Sequence, residues 1–162
     1  MVTVYVSLGS NIDAEKNLRI AVDELRRRFG TVSLSATYRN AAVGFDGDDF
    51  LNLVAAFESA QSPLEIQQQI ERIHELTGRQ RGDNKFSARP LDIDLLLYGN
   101  EVIDEPPLQI PRSDVLEYAF VLGPLAELAP GLIHPNTGRP ISEHWQEYDV
   151  ESHPLIPVEI IL

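Results

Sequence analysis

Apolar and polar positions recur with recognisable periods along the first half of this 162-residue chain. The apolar residues at positions 2, 4, 6 and 8 alternate with more polar ones, which predicts a β-strand with one buried face. Between residues 14 and 29 the apolar positions are three or four apart, and Gly30 follows, which predicts a helix. The run 32–38 alternates again, and 50–57 is a second β-like run beyond a connection rich in glycine and aspartate at 44–49, so two further strands are predicted.

The middle of the chain continues the pattern with a helix and a strand. Ser62 is predicted to cap an amphipathic helix that has Pro63 in its first turn and ends at Gly78. A polar stretch at 79–88 then leads into an apolar run at 91–98, which is interrupted only by Asp92 and Asp94 and is predicted to be a central strand. The order is βαββαβ.

This order predicts a ferredoxin-like α/β (α+β) fold, in which helices pack on one face of a mainly antiparallel sheet. Apolar residues at 115–128 have mixed helical spacing, and the proline-rich stretch from 130 to 162 has too many helix breakers for one long element. We therefore expect additional C-terminal elements after the core. We expect residues 1–162 to form a single domain.

The composition excludes several classes of protein. The chain has no cysteine, so it has no disulfide, no thiolate nucleophile and no cysteine metal site. No apolar run approaches the roughly 20 residues that cross a bilayer, and the start of the chain lacks the basic leader and continuous apolar core of a secretory signal. We expect a cytoplasmic protein with no membrane partner. The net charge of −12 opposes binding to nucleic acid.

Basic residues are concentrated in one short stretch of this acidic chain. Five of the 13 lie there, namely Arg72, Arg79, Arg81, Lys85 and Arg89. One interpretation is a solvated helix end and loop, and the other is an anion site for phosphates.

Asp92 and Asp94 are two residues apart, so in a strand both carboxylates point to the same face. Two adjacent carboxylates repel each other and favour a cationic partner, and hard oxygen ligands suit Mg²⁺. The alternative is that they are exposed on an edge strand or paired with arginines. Arg89 lies three residues before Asp92, and guanidinium groups match phosphate oxygens. A carboxylate pair beside a basic loop is what phosphoryl transfer requires.

These residues resemble a known family, the 6-hydroxymethyl-7,8-dihydropterin pyrophosphokinases. The similarity is carried by Arg79-Gln80-Arg81 and by Phe86-Ser87-Ala88-Arg89-Pro90-Leu91-Asp92-Ile93-Asp94-Leu95. It extends to Val4-Tyr5-Val6-Ser7-Leu8-Gly9-Ser10-Asn11, Phe50-Leu51-Asn52, Ala119-Phe120-Val121-Leu122 and Pro124-Leu125-Ala126-Glu127. The resemblance covers roughly residues 2 to 135. It implies a ferredoxin-like fold without a Walker loop, with ATP and a reduced pterin bound side by side.

The implied activity is transfer of diphosphate from ATP to the pterin hydroxymethyl group, with release of AMP, in folate synthesis. By resemblance, Asp92 and Asp94 would hold two Mg²⁺ ions. The residues expected to contact ATP are Arg79, Arg81, Arg89, Ile93 and Arg112, of which Arg81 and Arg89 would act directly on the triphosphate.

The pterin site is also implied by the resemblance. Asn52 would hydrogen-bond the ring, backbone groups of Asn40 and Val43 would read its edge, and Phe50 and Phe120 would stack on its faces. A flat heteroaromatic ring gains from aromatic surfaces and a few placed polar groups. Without the resemblance, core packing is the better interpretation of the two phenylalanines.

The chain departs from the family pattern at several positions. A histidine after the proline matching Pro111 is replaced by Arg112, and a basic residue before the Ala-Phe pair is replaced by Tyr118. An acidic residue before the arginine segment is replaced by His74, and Thr-Pro-Pro by Asn40-Ala41-Ala42. We expect Arg112 to replace one lost cation.

Two other functions remain open from sequence. One is a divergent pterin-binding paralogue with weak or no kinase activity, and the other is a ferredoxin-like interaction domain whose carboxylates are incidental. We expect the polar segments 79–88 and 44–49 to close over bound substrates and exclude water. We expect a monomer, with a weak dimer as the alternative.

Overall fold

The computed structural model describes residues 1–42, 47–78 and 90–162. Its elements in chain order are β1 (Val2–Ser10), α1 (Ala14–Phe29), β2 (Val32–Leu34), β3 (Thr37–Asn40), β4 (Phe50–Ser59), α2 (Pro63–Leu76), β5 (Asp92–Tyr98), β6 (Ile103–Glu105), β7 (Leu108–Ile110), α3 (Asp114–Glu117), α4 (Ala119–Leu128), α5 (Ile141–Glu147) and β8 (Ile156–Val158). Residues 79–88 and part of 44–49 lie outside the described residues, so their closure over substrates stays a prediction.

The main sheet contains six antiparallel strands, with the order β5-β1-β4-β3-β8 and with β2 pairing beside β3 along β4. The order of elements through β5 confirms the predicted βαββαβ core, with one refinement. The run predicted as a single strand from residue 32 is two strands, β2 and β3. Between them, the Ser35 side chain takes the place of a backbone acceptor: its Oγ accepts the backbone N–H of Val54 at 2.9 Å.

The prediction that residues 91–98 form a central strand is wrong, because β5 is at the edge of the described sheet. Its continuous apolar character has another cause. Ile93 and Leu95 belong to one buried cluster, whereas Leu96 and Leu97 belong to a second. Apolar groups on both faces are therefore covered even though one edge of the strand has no neighbouring strand among residues 1–42, 47–78 and 90–162.

Helices cover both faces of the sheet, because the C-terminal helices add to the core that the sequence predicted. The first cluster joins β1 and β4 to α1 and α2, with Leu18 and Ile70 fully buried. The second joins the opposite face, including Val54, to α4 through Val121 and Leu122. The two core helices share one face, as the sequence predicted. The added C-terminal helices pack on the other face.

The start of α2 confirms the predicted cap. The Ser62 side chain accepts the backbone N–H of Glu65 at 3.2 Å, and the Ser62 N–H donates to the Glu65 carboxylate at 3.0 Å. This reciprocal pair satisfies two N–H groups that a helix start leaves without partners. No helix among the described residues is long and apolar enough to cross a membrane.

Glu127 joins α4 to β3. Its carboxylate accepts the backbone N–H of Ala36 at 2.7 Å and the hydroxyl of Tyr38. Burial and this hydrogen bond to the carboxylate raise the pKa of Tyr38 to about 12. The folded state therefore favours the protonated phenol, and this contribution to stability is present below the unfolded pKa of about 10 and is lost as pH rises through about 12.

We expect Glu127→Ala to lower the free energy of unfolding by about 1 kcal/mol at neutral pH, because two hydrogen bonds to a partly solvated carboxylate are lost. Urea unfolding measures the change. Glu143→Ala, in α5, removes another exposed carboxylate and is the control. Between pH 10 and 12, wild type should lose more stability than Tyr38→Phe. Equal losses for the two glutamate variants would show that this contact does not stabilise the fold.

Candidate functional site

The strand register brings the predicted polar residues together on one face of the sheet. Gly9 in β1 lies opposite both Asn52 in β4 and Asp92 in β5. Two residues further along the same pair of strands, Ser7 lies opposite Asp94. Directly opposed residues of antiparallel strands present their side chains on the same face. Asp92, Asp94 and Asn52 therefore share a face, and two strand spacings of about 4.8 Å separate the carboxylates from the amide.

The absence of a side chain at Gly9 leaves room for the amide of Asn52. A Cβ atom at this position would lie 2.5 Å from the Asn52 Oδ1 atom. The Asn52 Nδ2 group donates to Oδ1 of Asn40, and Asn52 is only 7% exposed. The amide is thus fixed between Gly9 and Asn40, with its orientation set by both neighbours.

The two phenylalanines predicted to stack on a ring lie on elements that meet at this face. Phe50 begins β4, two residues before Asn52 and opposite Asn40, and is half-buried. Phe120 lies on α4, packs partly buried against the second core cluster, and stacks on Tyr118 with ring centroids 4.9 Å apart. Neither side chain is enclosed as a core residue is, which leaves aromatic surface at the site.

Arg112 lies between two carboxylates. Its Nη2 atom is 3.8 Å from Oδ1 of Asp94 and 3.4 Å from Oδ1 of Asp114. Its backbone N–H donates to the carbonyl of Leu96 at 3.0 Å, which fixes the segment before α3 beside β5. The Nε atom is buried and has no hydrogen-bond partner among the residues that the structure describes. Arg112 is therefore beside Asp94, and its Nε donor has no partner within the described part of the chain.

Asp92 and Asp94 have the chemistry of a partial metal site. Both are half-buried. They lie on an edge strand, and Arg112 is near Asp94, which agrees with the alternative interpretation of an edge strand with arginine partners. Within residues 1–42, 47–78 and 90–162 there is no group of three or more His, Cys, Asp or Glu side chains that could hold a metal ion. Two carboxylates on one face fit an ion such as Mg²⁺, which keeps several positions for water and substrate phosphate.

The remaining predicted site residues are Val43, Arg79, Arg81, Arg89 and Ile93. Val43, Arg79, Arg81 and Arg89 lie outside the described residues, and their roles stay predictions. The Ile93 side chain is 2% exposed in the first core cluster. Little of this side chain is left exposed for the predicted nucleotide contact, which stays a prediction.

A family model described as "7,8-dihydro-6-hydroxymethylpterin-pyrophosphokinase (HPPK)" matches residues 5–130. The chain belongs to this family. It is 37% identical over 141 residues to the 2-amino-4-hydroxy-6-hydroxymethyldihydropteridine pyrophosphokinase of Haemophilus influenzae, covering 85% of this chain and 88% of the relative. It is 38% identical over 144 residues to the pyrophosphokinase of Pseudomonas aeruginosa, covering 86% and 88%. The resemblance drawn from sequence motifs is confirmed, and nothing in these matches supports a non-catalytic paralogue.

Solved structures agree on the fold. Wild-type HPPK-DHPS of Plasmodium falciparum matches with a TM-score of 0.74 and 13% identity, over 91% of this chain and 44% of that one. The same protein crystallised with pterin and p-hydroxybenzoate matches with a TM-score of 0.74, over 93% and 43%. This chain spans less than half the length of those proteins. The ferredoxin-like fold predicted for the pyrophosphokinase family is confirmed.

Sequence reasoning missed three residues at this site. Gly9 was part of a motif but had no role until the register placed Asn52 opposite it. Asp114 had no signal beyond its distance of two residues from Arg112. His74 did have a signal, because it shares the buried face of α2 with Ile66, Ile70 and Ile73, where a polar side chain requires a partner.

Proposed function

We propose that this chain transfers the terminal diphosphate of ATP to the hydroxymethyl group of 7,8-dihydro-6-hydroxymethylpterin, in folate synthesis. The observation that carries the proposal is the arrangement of Asp92, Gly9 and Asn52 across three strands. On one face of the sheet it brings together a carboxylate pair, which would serve the phosphate end of the reaction, and a fixed amide, which would serve the pterin end. Membership of the pyrophosphokinase family supports the same assignment.

In the proposed reaction the pterin hydroxymethyl oxygen bonds to the β-phosphorus of ATP. The bond from that phosphorus to the oxygen bridging it to the α-phosphate breaks, so AMP leaves with the bonding electrons. The hydroxyl proton is released to water. Such transfers depend mainly on positioning and charge neutralisation, which is the chemistry that this site offers.

On the phosphate side, Asp92 and Asp94 would hold two Mg²⁺ ions, which would supply positive charge to the triphosphate oxygens. Arg81 and Arg89 would contact the same oxygens, with Arg79 and Arg112 as further cations and Ile93 beside the nucleotide. Arg112 is within ion-pair distance of Asp94, which supports a role for it on the same phosphates.

On the pterin side, the Asn52 amide would exchange hydrogen bonds with the ring. Its contact with Asn40 orients the amide before the substrate arrives, which reduces the ordering cost of binding. Backbone groups of Asn40 and Val43 would read the ring edge. Phe50 and Phe120 would cover its faces.

The decisive experiment is to incubate the purified protein with ATP, Mg²⁺ and the reduced hydroxymethylpterin and to measure AMP and the pterin diphosphate by chromatography. We expect both products in equal amounts, and none when the pterin is omitted. Calorimetric binding of the pterin without any AMP would instead identify a binding protein. If the protein neither binds the pterin nor forms AMP, the proposed site is refuted.

We expect Arg112→Ala to raise the Michaelis constant for ATP by about tenfold and to change that for the pterin by less than about twofold. A guanidinium beside a triphosphate makes charge-assisted hydrogen bonds that cannot be replaced by water at equal strength. Steady-state kinetics with each substrate varied in turn measures the two constants.

Arg139→Ala is the matched control, because Arg139 pairs with Glu143 and Glu147 in the C-terminal region. Tyr118→Arg restores the family's basic residue, and we expect it to lower the ATP constant. If Arg112→Ala leaves the ATP constant unchanged and Tyr118→Arg gives no gain, this segment does not contact the nucleotide.

A further inference from the structure

His74 links α2 to the strand that carries the carboxylate pair. It is 3% exposed, and its Nε2 atom accepts the backbone N–H of Ile93 at 2.9 Å. Ile93 lies between Asp92 and Asp94. The imidazole therefore contacts the backbone midway between the two side chains that the proposed function assigns to the metal ions.

The geometry of this contact fixes the form of the imidazole. A ring nitrogen that accepts an N–H carries no proton, so the His74 proton is on Nδ1. Nδ1 lies 3.5 Å from Oε2 of Glu71, one turn earlier on the same helix. The ring is thus oriented from both ends, by the helix and by the strand.

The position of β5 at the sheet edge explains why this contact matters. Along an edge strand, every second backbone N–H and C=O faces away from the neighbouring strand. Here the Ile93 N–H donates to His74, and the Leu96 carbonyl accepts the backbone N–H of Arg112. Asp94 lies between these two points of attachment. A side chain and a loop therefore supply hydrogen-bond partners at this edge, as a further strand would for a central strand.

We propose that His74 is a positioning residue for Asp92 and Asp94, and that it acts by holding the Ile93 N–H so that both carboxylates keep the spacing needed to bind metal and triphosphate. This inference rests on the proposed function. The family pattern has an acidic residue at this position. In this chain His74 stands there and supplies a hydrogen-bond acceptor from the buried face of α2. Displacements of about 1 Å at a catalytic constellation cost up to about 100-fold in rate.

The test compares variants that keep or remove the acceptor. His74→Gln places an amide oxygen near the position of Nε2, whereas the shorter side chain of His74→Asn does not reach it and His74→Leu has no acceptor. We expect His74→Leu and His74→Asn to raise the Mg²⁺ concentration for half-maximal AMP formation by about tenfold, and to lower turnover by 10- to 100-fold. His74→Gln should stay within about threefold of wild type.

Two measurements do not depend on turnover. Hydrogen exchange of the Ile93 amide should be at least about tenfold faster in His74→Leu and His74→Asn than in wild type, and near wild type in His74→Gln. Calorimetry with Mg²⁺ and a non-hydrolysable ATP analogue should show weaker metal-dependent binding in the same two variants. These results hold or fail even if wild type produces no AMP, which separates this inference from the proposed function.

His134→Leu is the matched control. His134 is also 3% exposed, and its Nδ1 accepts a backbone N–H, that of Asn136 at 3.2 Å, but this contact lies in the C-terminal region. We expect it to reduce thermal stability about as much as His74→Leu while leaving the Mg²⁺ dependence unchanged. Ile93 exchange or Mg²⁺ dependence that is the same in wild type and the two acceptor-free variants would overturn the proposal.

Discussion

Asp92→Asn and Asp94→Asn, made separately, are each expected to reduce AMP formation by roughly 100- to 1000-fold, the loss typical of removing one electrostatic group that acts on the transition state. The two side chains lie on one face of β5 at a separation of two residues. Each substitution keeps the shape of the side chain and removes one negative charge, so the proposed metal ions lose a ligand charge while the packing of β5 is unchanged. Turnover at saturating ATP and pterin measures the effect.

The control for these variants is Asp104→Asn on β6, an exposed aspartate outside the site. It should retain wild-type turnover. Thermal unfolding of all three variants verifies that the fold is kept. Calorimetry should also show that Mg²⁺ no longer strengthens binding of a non-hydrolysable ATP analogue in the two site variants. Near-wild-type turnover in either variant at saturating Mg²⁺ would exclude the proposed two-metal site.

The fold was predictable from sequence where local patterns decide the structure. Alternation over β1, the three-to-four spacing of α1 and the Ser62 cap of α2 each depend on nearby residues alone. The face shared by Asp92 and Asp94 also follows from their spacing once they lie in a strand. These features therefore did not require knowledge of the remaining chain.

Features that depend on distant partners were not predictable in the same way. An apolar run such as β5 reads as a central strand, because the pattern reports burial of the two faces and says nothing about the edges. The edge of β5 is completed by His74, from a helix 19 residues earlier in the chain. Likewise, the position of Asp114 beside Arg112 depends on the course of the chain into α3.

The role of Gly9 also depends on a distant partner, the Asn52 side chain on the neighbouring strand. We expect Gly9→Ala to raise the Michaelis constant for the pterin by at least about tenfold. An added Cβ atom would lie 2.5 Å from the Asn52 Oδ1 atom, a separation that non-bonded atoms do not tolerate. The buried amide of Asn52 is already bonded to Asn40, so it cannot move aside without losing the orientation proposed to read the ring. Misplaced polar groups in a binding site lower affinity strongly, because they are left unpaired when the substrate binds.

A double-mutant cycle isolates this cause, because two residues in contact have non-additive effects. Asn52→Ala alone should raise the pterin constant, and adding Gly9→Ala to it should raise the constant by less than about twofold more, since the atom that the new methyl group would strike is gone. Gly131→Ala is the control, because a Cβ atom there would meet nothing within 4 Å. Gly9 has no positive φ, so backbone strain does not compete with this explanation. If Gly9→Ala is equally damaging with and without the Asn52 amide, the glycine serves the site in some way other than by leaving room for that side chain.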